Sequence, residues 1–498
     1  MREIGVVGGG ASAVCLLDAL ARERGEPGAL TVFEPGHDLW RGRPFQQDTD
    51  SVRVNAPPAE MSVRSGDPGH FEQWLAARDI LVGGDDYHDE RCGTRFVPRG
   101  VYGEYLEQSA RAALLCLLER GWRITVVRDA VTAAVPAGAG LALHTGRGQV
   151  VHADRVVLCV GVGRPADLYS LAGSPGFVAE PYPLARTLPE LDPHASVAVV
   201  GSGLTGVDAV LGLAARGHRG PVRLLSRRGV LPGVRQRPVD HRLRHFAPER
   251  FRAAARAGET LTLPQLVELM RAELSAAGED LASLREEIAA LELEDPVARL
   301  KRQLAEVASP GLALRILQRA VPDTGPDVWP RLSEEDKQWL LREHYRTIMS
   351  LCCPMPPASA AALLAEVDAG RLEILAGLEW IERRRSGFAV TVAGRVHRVD
   401  VVLNAVSPPA SKIPPRAREL VGSLVAHGLA ERHPRGGVRV ERATSRATVA
   451  GVPEPRVHVL GDLAAGSLFF TFGIPSLADR ASDIAGVLTG ASTALQTV

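Results

Sequence analysis

Two stretches of this sequence gather glycines at a spacing suited to handling phosphates: Gly8-Gly9-Gly10-Ala11-Ser12-Ala13 and Gly201-Ser202-Gly203-Leu204-Thr205-Gly206. Each follows a short apolar run, Ile4 to Val7 and Val197 to Val200, and precedes apolar residues at helical spacing. In that setting the first glycine permits a tight turn after a strand. The second, Gly10 or Gly203, lets the backbone approach a pyrophosphate. The last position, Ala13 or Gly206, lets the helix pack close against the strand. Ser12, Leu204 and Thr205 then lie at helix starts whose bare amides face an anion. That contact is worth about 0.3–2 kcal/mol, enough to fix position more than to supply all the affinity.

The strands after the two motifs end differently. The first motif leads to Leu30-Thr31-Val32-Phe33-Glu34-Pro35, a strand ending in an acid that can accept ribose hydroxyls. The second leads to Val222-Arg223-Leu224-Leu225 and then Ser226-Arg227-Arg228-Gly229, with no carboxylate. An acid there would repel a ribose 2′-phosphate, whereas a hydroxyl and two guanidinium forks bind one. A solvated arginine pair at a loop would look the same in sequence. The paired motifs read as a two-dinucleotide flavoenzyme, with FAD on the first and NADPH on the second.

These motifs need strands and helices to hold them. The fold expected is α/β, with two Rossmann-like dinucleotide-binding domains and a helical insertion. Residues 1–185 are expected to form the first part of the FAD-binding domain and 186–239 the first part of the NADPH-binding domain. Residues 240–350 form the insertion, 351–407 the return of the NADPH-binding domain, and 408–498 the C-terminal part of the FAD-binding domain. Return strands are expected at Arg155 to Gly161 and Asp400 to Ala405, each breaking at small residues where a ligand can approach; Gly161 is one such point. Leu263 to Ala277, Leu281 to Leu293 and Val297 to Val307 show helical spacing, and Thr262-Leu263-Pro264-Gln265 reads as a capping box. Two uses fit the insertion equally, a cover over the active site or an interface between copies of a homo-oligomer. Pro354-Met355-Pro356-Pro357 marks its exit, Arg456 to Asp462 is strand followed by the Gly461-Asp462 break, and Pro475 to Leu488 reads as a closing helix.

The 498 residues carry 58 Lys+Arg and 58 Asp+Glu. Zero net charge gives no electrostatic reason to expect nucleic acid or an anionic membrane as partner, so a small molecule is expected instead. The glycine motif begins too near Met1 for a signal peptide, and no run of about 18 apolar residues occurs, which makes a soluble cytoplasmic protein the expectation. None of the six cysteines, Cys15, Cys92, Cys116, Cys159, Cys352 and Cys353, forms a C-x-x-C pair or a zinc spacing. No metal is expected, and electron transfer to a disulfide is disfavoured. The adjacent Cys352-Cys353 pair would bridge only with strain, so packing is the better reading.

The first motif and Glu34 are followed by Gly42-Arg43-Pro44-Phe45, Val54-Asn55-Ala56-Pro57, Met61-Ser62, Phe96-Val97-Pro98-Arg99 and Tyr102-Gly103-Glu104-Tyr105. With Gly201 to Asp208 and Ser226 to Gly229, they resemble the bacterial FAD/NAD(P)-binding family over most of the chain. Some members are similar to amine and amino-acid N-oxidising flavoenzymes of specialised metabolism, including those that oxidise aspartate nitrogen. Asn55 followed by Met61 resembles the Asn-containing segment of class B flavin monooxygenases, which implies an amide donor beside the flavin and the nicotinamide. Asn is also common as a turn residue bonding its own backbone. The resemblance makes Arg43 and Arg99 candidates for phosphate or substrate contacts, although a surface arginine fits either position. Met61 and Ser62 become part of the cofactor segment, Asp462 a neighbour of the ribityl chain, and Phe469 to Pro475 a lining of the flavin pocket. Phe469, Phe470 and Phe472 would serve equally as core. The F-x-G-x-x-x-H-x-x-x-W/Y signature is absent before Gly201, which weakens a Baeyer-Villiger assignment.

The expected activity is an FAD- and NADPH-dependent monooxygenase that N-hydroxylates an amino acid or other small amine with dioxygen, through a flavin hydroperoxide. A hydroperoxide survives only where water is excluded and fixed donors meet its oxygens, and Asn55 is the expected catalytic donor. An NADPH-dependent reductase or dehydrogenase passing electrons to a quinone or other acceptor would carry the same motifs. So would a non-enzymic flavin-bearing interaction subunit.

Overall fold

The structure is a computed structural model, and it describes residues 2–83, 87–408 and 413–490. The runs Glu3–Val7 and Val197–Val200 are almost wholly buried, as expected of strands covered on both faces. They stand at the centres of two parallel sheets. The first sheet runs in the order Arg446–Val449, Val452–Val459, Arg155–Leu158, Glu3–Val7, Ala29–Phe33, Arg123–Val127. Within it only the pair Arg446–Val449 and Val452–Val459 is antiparallel. The second sheet, Phe177–Val178, Val401–Asn404, Val197–Val200, Val222–Ser226, Leu372–Ala376, is parallel throughout. Phe177–Val178 thus already joins the second sheet. The return strands are shorter than the apolar runs that announce them, Arg155–Leu158 and Val401–Asn404.

Both sheets are covered in the same way. Helices Ala11–Arg22, Arg99–Glu119 and Ile474–Thr489 pack on one face of the first, burying Leu16, Leu17, Tyr102, Tyr105 and Ile484 in one cluster. An antiparallel meander of Val131–Ala137, Gly140–Thr145 and Val150–Ala153 covers the other face with Leu141 and Leu143. On the second sheet helices Leu204–Ala215 and Pro357–Asp368 take one face. A meander of Leu378–Arg383, Phe388–Val392 and Arg395–Val399 takes the other, its Phe388 and Val390 packed on Ala198 and Leu225. Each fully buried Leu, Ile or Phe contributes about 1.5–3 kcal/mol, so these layers fix both sheets firmly.

The insertion has a core of its own, built from Phe246, Phe251, Met270, Leu274, Leu284, Ile316 and Trp329. Helices Leu263–Ala276, Leu281–Leu293 and Pro296–Ala305 lie where the spacing places them. The Thr262 capping box is complete: the Thr262 amide donates to Gln265 Oε1 at 2.9 Å and the Gln265 amide to Thr262 Oγ1 at 3.4 Å. Asp280 and Asp295 cap the next two helices. Helix Ala313–Val328 was not foreseen, because Pro322, Gly325 and Pro326 are helix-breaking residues. Tertiary packing holds it: Thr324 to Trp329 are buried, and a Cβ at Gly325 would stand 3.0 Å from that of Phe470. No helix among the described residues is long and apolar enough to cross a membrane.

Candidate functional site: two glycine turns and the Asn55 loop

At the first motif Gly8 has φ +106°, and a Cβ there would lie 2.2 Å from the Cys159 carbonyl oxygen. Only glycine fits this turn. Helix Ala11–Arg22 starts at Gly10 with no side-chain cap, leaving its first amides for a ligand. Ala13 is fully buried, as close helix packing requires. Glu34 reaches back over the turn: Oε2 accepts from the Gly9 amide at 2.8 Å and Oε1 from the Gly36 amide at 2.7 Å. These bonds aim the carboxylate and leave a lone pair on each oxygen for ribose hydroxyls. Pro35 is exposed beside it. Trp40, which the motif reading passed over, is buried at φ +72° and donates its amide to Gly9 O at 2.6 Å. It turns the chain so that Gly42 lies against Gly10, where a Gly10 Cβ would be 3.4 Å from Gly42 Cα.

The C-terminal segment closes on this cleft. Gly461 has φ +109°, and a Cβ on it would stand 3.2 Å from Ser12 Oγ, so residues 449 positions apart in the chain share one wall. Asp462 accepts from Thr471 Oγ1 at 3.2 Å, and burial raises its carboxyl above the usual range. Gly161, at φ +68°, has open space where a Cβ would be. An uncapped helix start, an aimed acid and open glycine backbone together fit the adenosine and pyrophosphate of a dinucleotide.

The second motif repeats this logic with one difference. Gly201, at φ +110°, would bring a Cβ within 2.6 Å of Ala405 O, and one at Gly206 would lie 2.0 Å from Gly201 O. Gly203 meets nothing within 4 Å. It caps helix Leu204–Ala215 without a side-chain bond, so the space above Gly203, Leu204 and Thr205 fits a pyrophosphate. Ser226 Oγ accepts from the Gly229 amide at 2.9 Å and keeps its own hydrogen for a ligand. Arg227 and Arg228 are exposed.

Asn55 follows the first motif in the chain and is fastened to the second half. Its side chain does not bond its own backbone as a turn asparagine would. Nδ2 donates to Pro354 O at 3.3 Å, where the chain leaves the insertion. Arg235 Nη2 donates to Asn55 O at 3.2 Å, and Nη1 to Glu60 Oε2 at 3.1 Å. Arg235 is 7% exposed and joins the second sheet's half of the chain to the Asn55 loop. Sequence reasoning missed it, since an arginine nine residues past a strand carries no motif. Met61 is buried and its carbonyl accepts from Tyr102 Oη at 2.8 Å; Ser62 Oγ donates to Asp67 O at 2.7 Å, closing a turn.

The other arginines are held by protein groups. Arg43 pairs through Nε with Glu180 at 2.8 Å and donates to Gly163 O at 2.5 Å. Arg99 is half-buried, bound to Asp208 and Tyr182, and its surface reading is corrected: it is a partner of the second motif's helix. Phe470 is buried and Phe472 exposed, whereas Phe469, at φ +62°, stacks on Trp329 of the insertion at 4.5 Å.

All six cysteines are free. Burial pushes the thiols of Cys92, Cys159 and Cys353 up to about 12, so they are protonated at neutral pH and poor nucleophiles. A cavity of about 520 Å³ lies among Glu279, Glu287, Glu294 and Arg302 of the insertion, apart from both glycine loops.

Residues 5–163 match the family model described as FAD-NAD(P)-binding. No curated protein matches the chain in sequence. Among solved structures the chain is similar to the ornithine N-hydroxylase of Kutzneria sp. 744, at 15% identity and TM-score 0.60, over 99% of this chain and 100% of that one. It is similar to L-lysine 6-monooxygenase from Pseudomonas syringae, at 16% identity and TM-score 0.58, over 99% and 100% of the two chains. It is also similar to the FAD-bound cadaverine monooxygenase of desferrioxamine biosynthesis from Erwinia amylovora, at 14% identity and TM-score 0.60, over 98% and 95%. At such identities the likeness is one of fold. Residues 5–163 form an FAD-NAD(P)-binding domain, and the chain as a whole has the α/β fold of the flavoenzymes that carry two dinucleotide domains.

Proposed function

We propose that this protein is an FAD- and NADPH-dependent monooxygenase that N-hydroxylates an amino acid or other small amine in the cytoplasm. When bound, FAD supplies redox chemistry that takes hydride from NADPH and, with dioxygen, delivers one oxygen atom to a nucleophilic nitrogen. Gly8, Gly10, Ser12, Glu34, Gly461 and Asp462 would hold it, while Gly203, Leu204, Thr205, Ser226, Arg227 and Arg228 would hold the coenzyme. The observation that carries the reading is Asn55. Its loop follows the FAD motif, yet it is fastened by Arg235 and Pro354 from the other half of the chain. One amide hydrogen of Nδ2 is engaged with Pro354 O, leaving the other to donate toward the reacting oxygen. Arg235 positions that donor through the Asn55 carbonyl.

The buried, protonated thiols speak against a disulfide reductase, and the ornithine N-hydroxylase and the lysine and cadaverine monooxygenases of like fold support a small amine as substrate. The test is an amino-acid and polyamine screen that reads NADPH consumption against hydroxylamine formation. One amine is expected to give matched rates, and Asn55→Ala to release peroxide in place of product while still oxidising NADPH. Peroxide with every amine would point instead to a reductase.

A further inference from the structure

Three cationic side chains gather at the end of strand Val222–Ser226, and one of them comes from the insertion. Arg227 and Arg228 follow the strand directly, exposed, and their guanidinium groups have no ion-pair partner among the described residues. The third is Arg346, half-buried on helix Tyr345–Cys352 and likewise without a partner among the described residues. This helix is tied to the loop that leaves the arginine pair. Ser350 Oγ donates to Leu231 O at 2.7 Å, and the Gly233 amide donates to Ser350 O at 2.8 Å. Arg346 stands one turn before Ser350 on the same helix face, the face that meets the loop leaving the arginine pair. Burial, and then the charges of Arg227 and Arg228, hold the Arg346 guanidinium below its ordinary range. The nearest acid on this helical stretch, Glu343, is exposed and engaged with Arg342 at 2.6 Å, and the charge of Arg228 reaches it as well.

Three like charges with no ion pair to a carboxylate among the described residues destabilise one another, and a dianion taken between them reverses that cost. Strand Val222–Ser226 pairs directly with Val197–Val200, whose end is the glycine turn. A nucleotide whose pyrophosphate lies over Gly203 therefore places its ribose near Ser226. We propose that Arg346 is the third cation of a site for the coenzyme's 2′-phosphate, so that the helical insertion takes part in telling NADPH from NADH. The proposal rests on the NADPH reading above.

The test uses the FAD-loaded protein and two fragments, 2′,5′-ADP and 5′-AMP, titrated by calorimetry. The unaltered protein is expected to bind 2′,5′-ADP more tightly. Arg346→Ala is expected to weaken 2′,5′-ADP about tenfold or more while leaving 5′-AMP as it was. Arg346→Lys, which keeps the charge, is expected to recover part of the loss. FAD content and melting temperature serve as the check on folding, with Arg346→Gln as the second variant. Undiminished 2′,5′-ADP affinity in both neutral variants, with Arg227→Ala weakened, would overturn the role of Arg346 and leave the NADPH reading intact. Equal binding of both fragments by the unaltered protein would overturn that reading as well.

Discussion

Arg99 Nη2 and Asp208 Oδ2 meet at 2.6 Å, joining the helix that begins at Arg99 beneath the first sheet to the helix of the second glycine motif. Tyr182, on the connecting segment, donates to the same carboxylate and accepts from Arg99 Nη1 at 3.2 Å. Asp208 is 7% exposed and Arg99 and Tyr182 are half-buried, so this three-membered network is a largely enclosed fastening between the two nucleotide units.

Breaking one side of a buried ion pair leaves the other charge uncompensated, at about 3–5 kcal/mol. Asp208→Ala is expected to lower the unfolding free energy by that order. The double variant Arg99→Met, Asp208→Leu should regain most of the loss. Urea denaturation of the two variants beside the unaltered protein measures this, and equal losses in single and double variants would contradict it.

Gly203 and Gly206 are expected to respond oppositely to one added methyl group. Gly203→Ala puts it in open space at an ordinary helix-cap conformation, so stability should stay within about 1 kcal/mol. NADPH affinity should nonetheless fall about tenfold or more, because the methyl fills the pyrophosphate's approach. Gly206→Ala drives a Cβ to 2.0 Å from Gly201 O, and the helix must move off its strand at about 1–3 kcal/mol. Thermal melts paired with NADPH titrations separate the two.

Glu34 aims its carboxylate through the Gly9 and Gly36 amides. Glu34→Ala removes that anchor together with the ribose acceptor, a loss of about 1.5–3 kcal/mol per charge-assisted bond. The purified variant should retain far less flavin after dialysis, read as the ratio of flavin to protein absorbance. Full FAD occupancy in Glu34→Ala would show that the ribose is held by other groups.

His458 gives the first sheet a pH dependence. It is fully buried, its Nδ1 lies 2.9 Å from Thr444 O, and burial lowers its pKa from 6.5 to about 4. Above 6.5 it is neutral folded or unfolded, and its contribution is complete. Between 6.5 and 4 only the unfolded chain takes up the proton, so stability falls with pH; below 4 nothing more is lost. From pH 7 to 5 the site should account for a loss on the order of 2 kcal/mol. His458→Gln should flatten that part of the profile in urea denaturation at the two pH values.

Glycine spacing was enough to place both strand–turn–helix units. The steric demands at Gly8, Gly201 and Gly206 are local, set by a strand, a turn and a helix that adjoin in sequence. Glu34 and the Ser226-Arg227-Arg228 run were legible for the same reason, each closing the strand next to its motif. The first capped helix of the insertion was readable from Thr262, whose cap bond spans only three residues. Helix Ala313–Val328 was not, since its prolines oppose helix and only burial against Phe470 and its surroundings sustains it. Tertiary structure alone decided which distant residues meet: Ser12 with Gly461, Asn55 with Pro354 and Arg235, Arg99 with Asp208. Each of these pairs bridges more than a hundred residues, over which no periodicity or spacing carries information. The packing of two sheets and an insertion fixes them instead, and with them the side chains that surround the clefts.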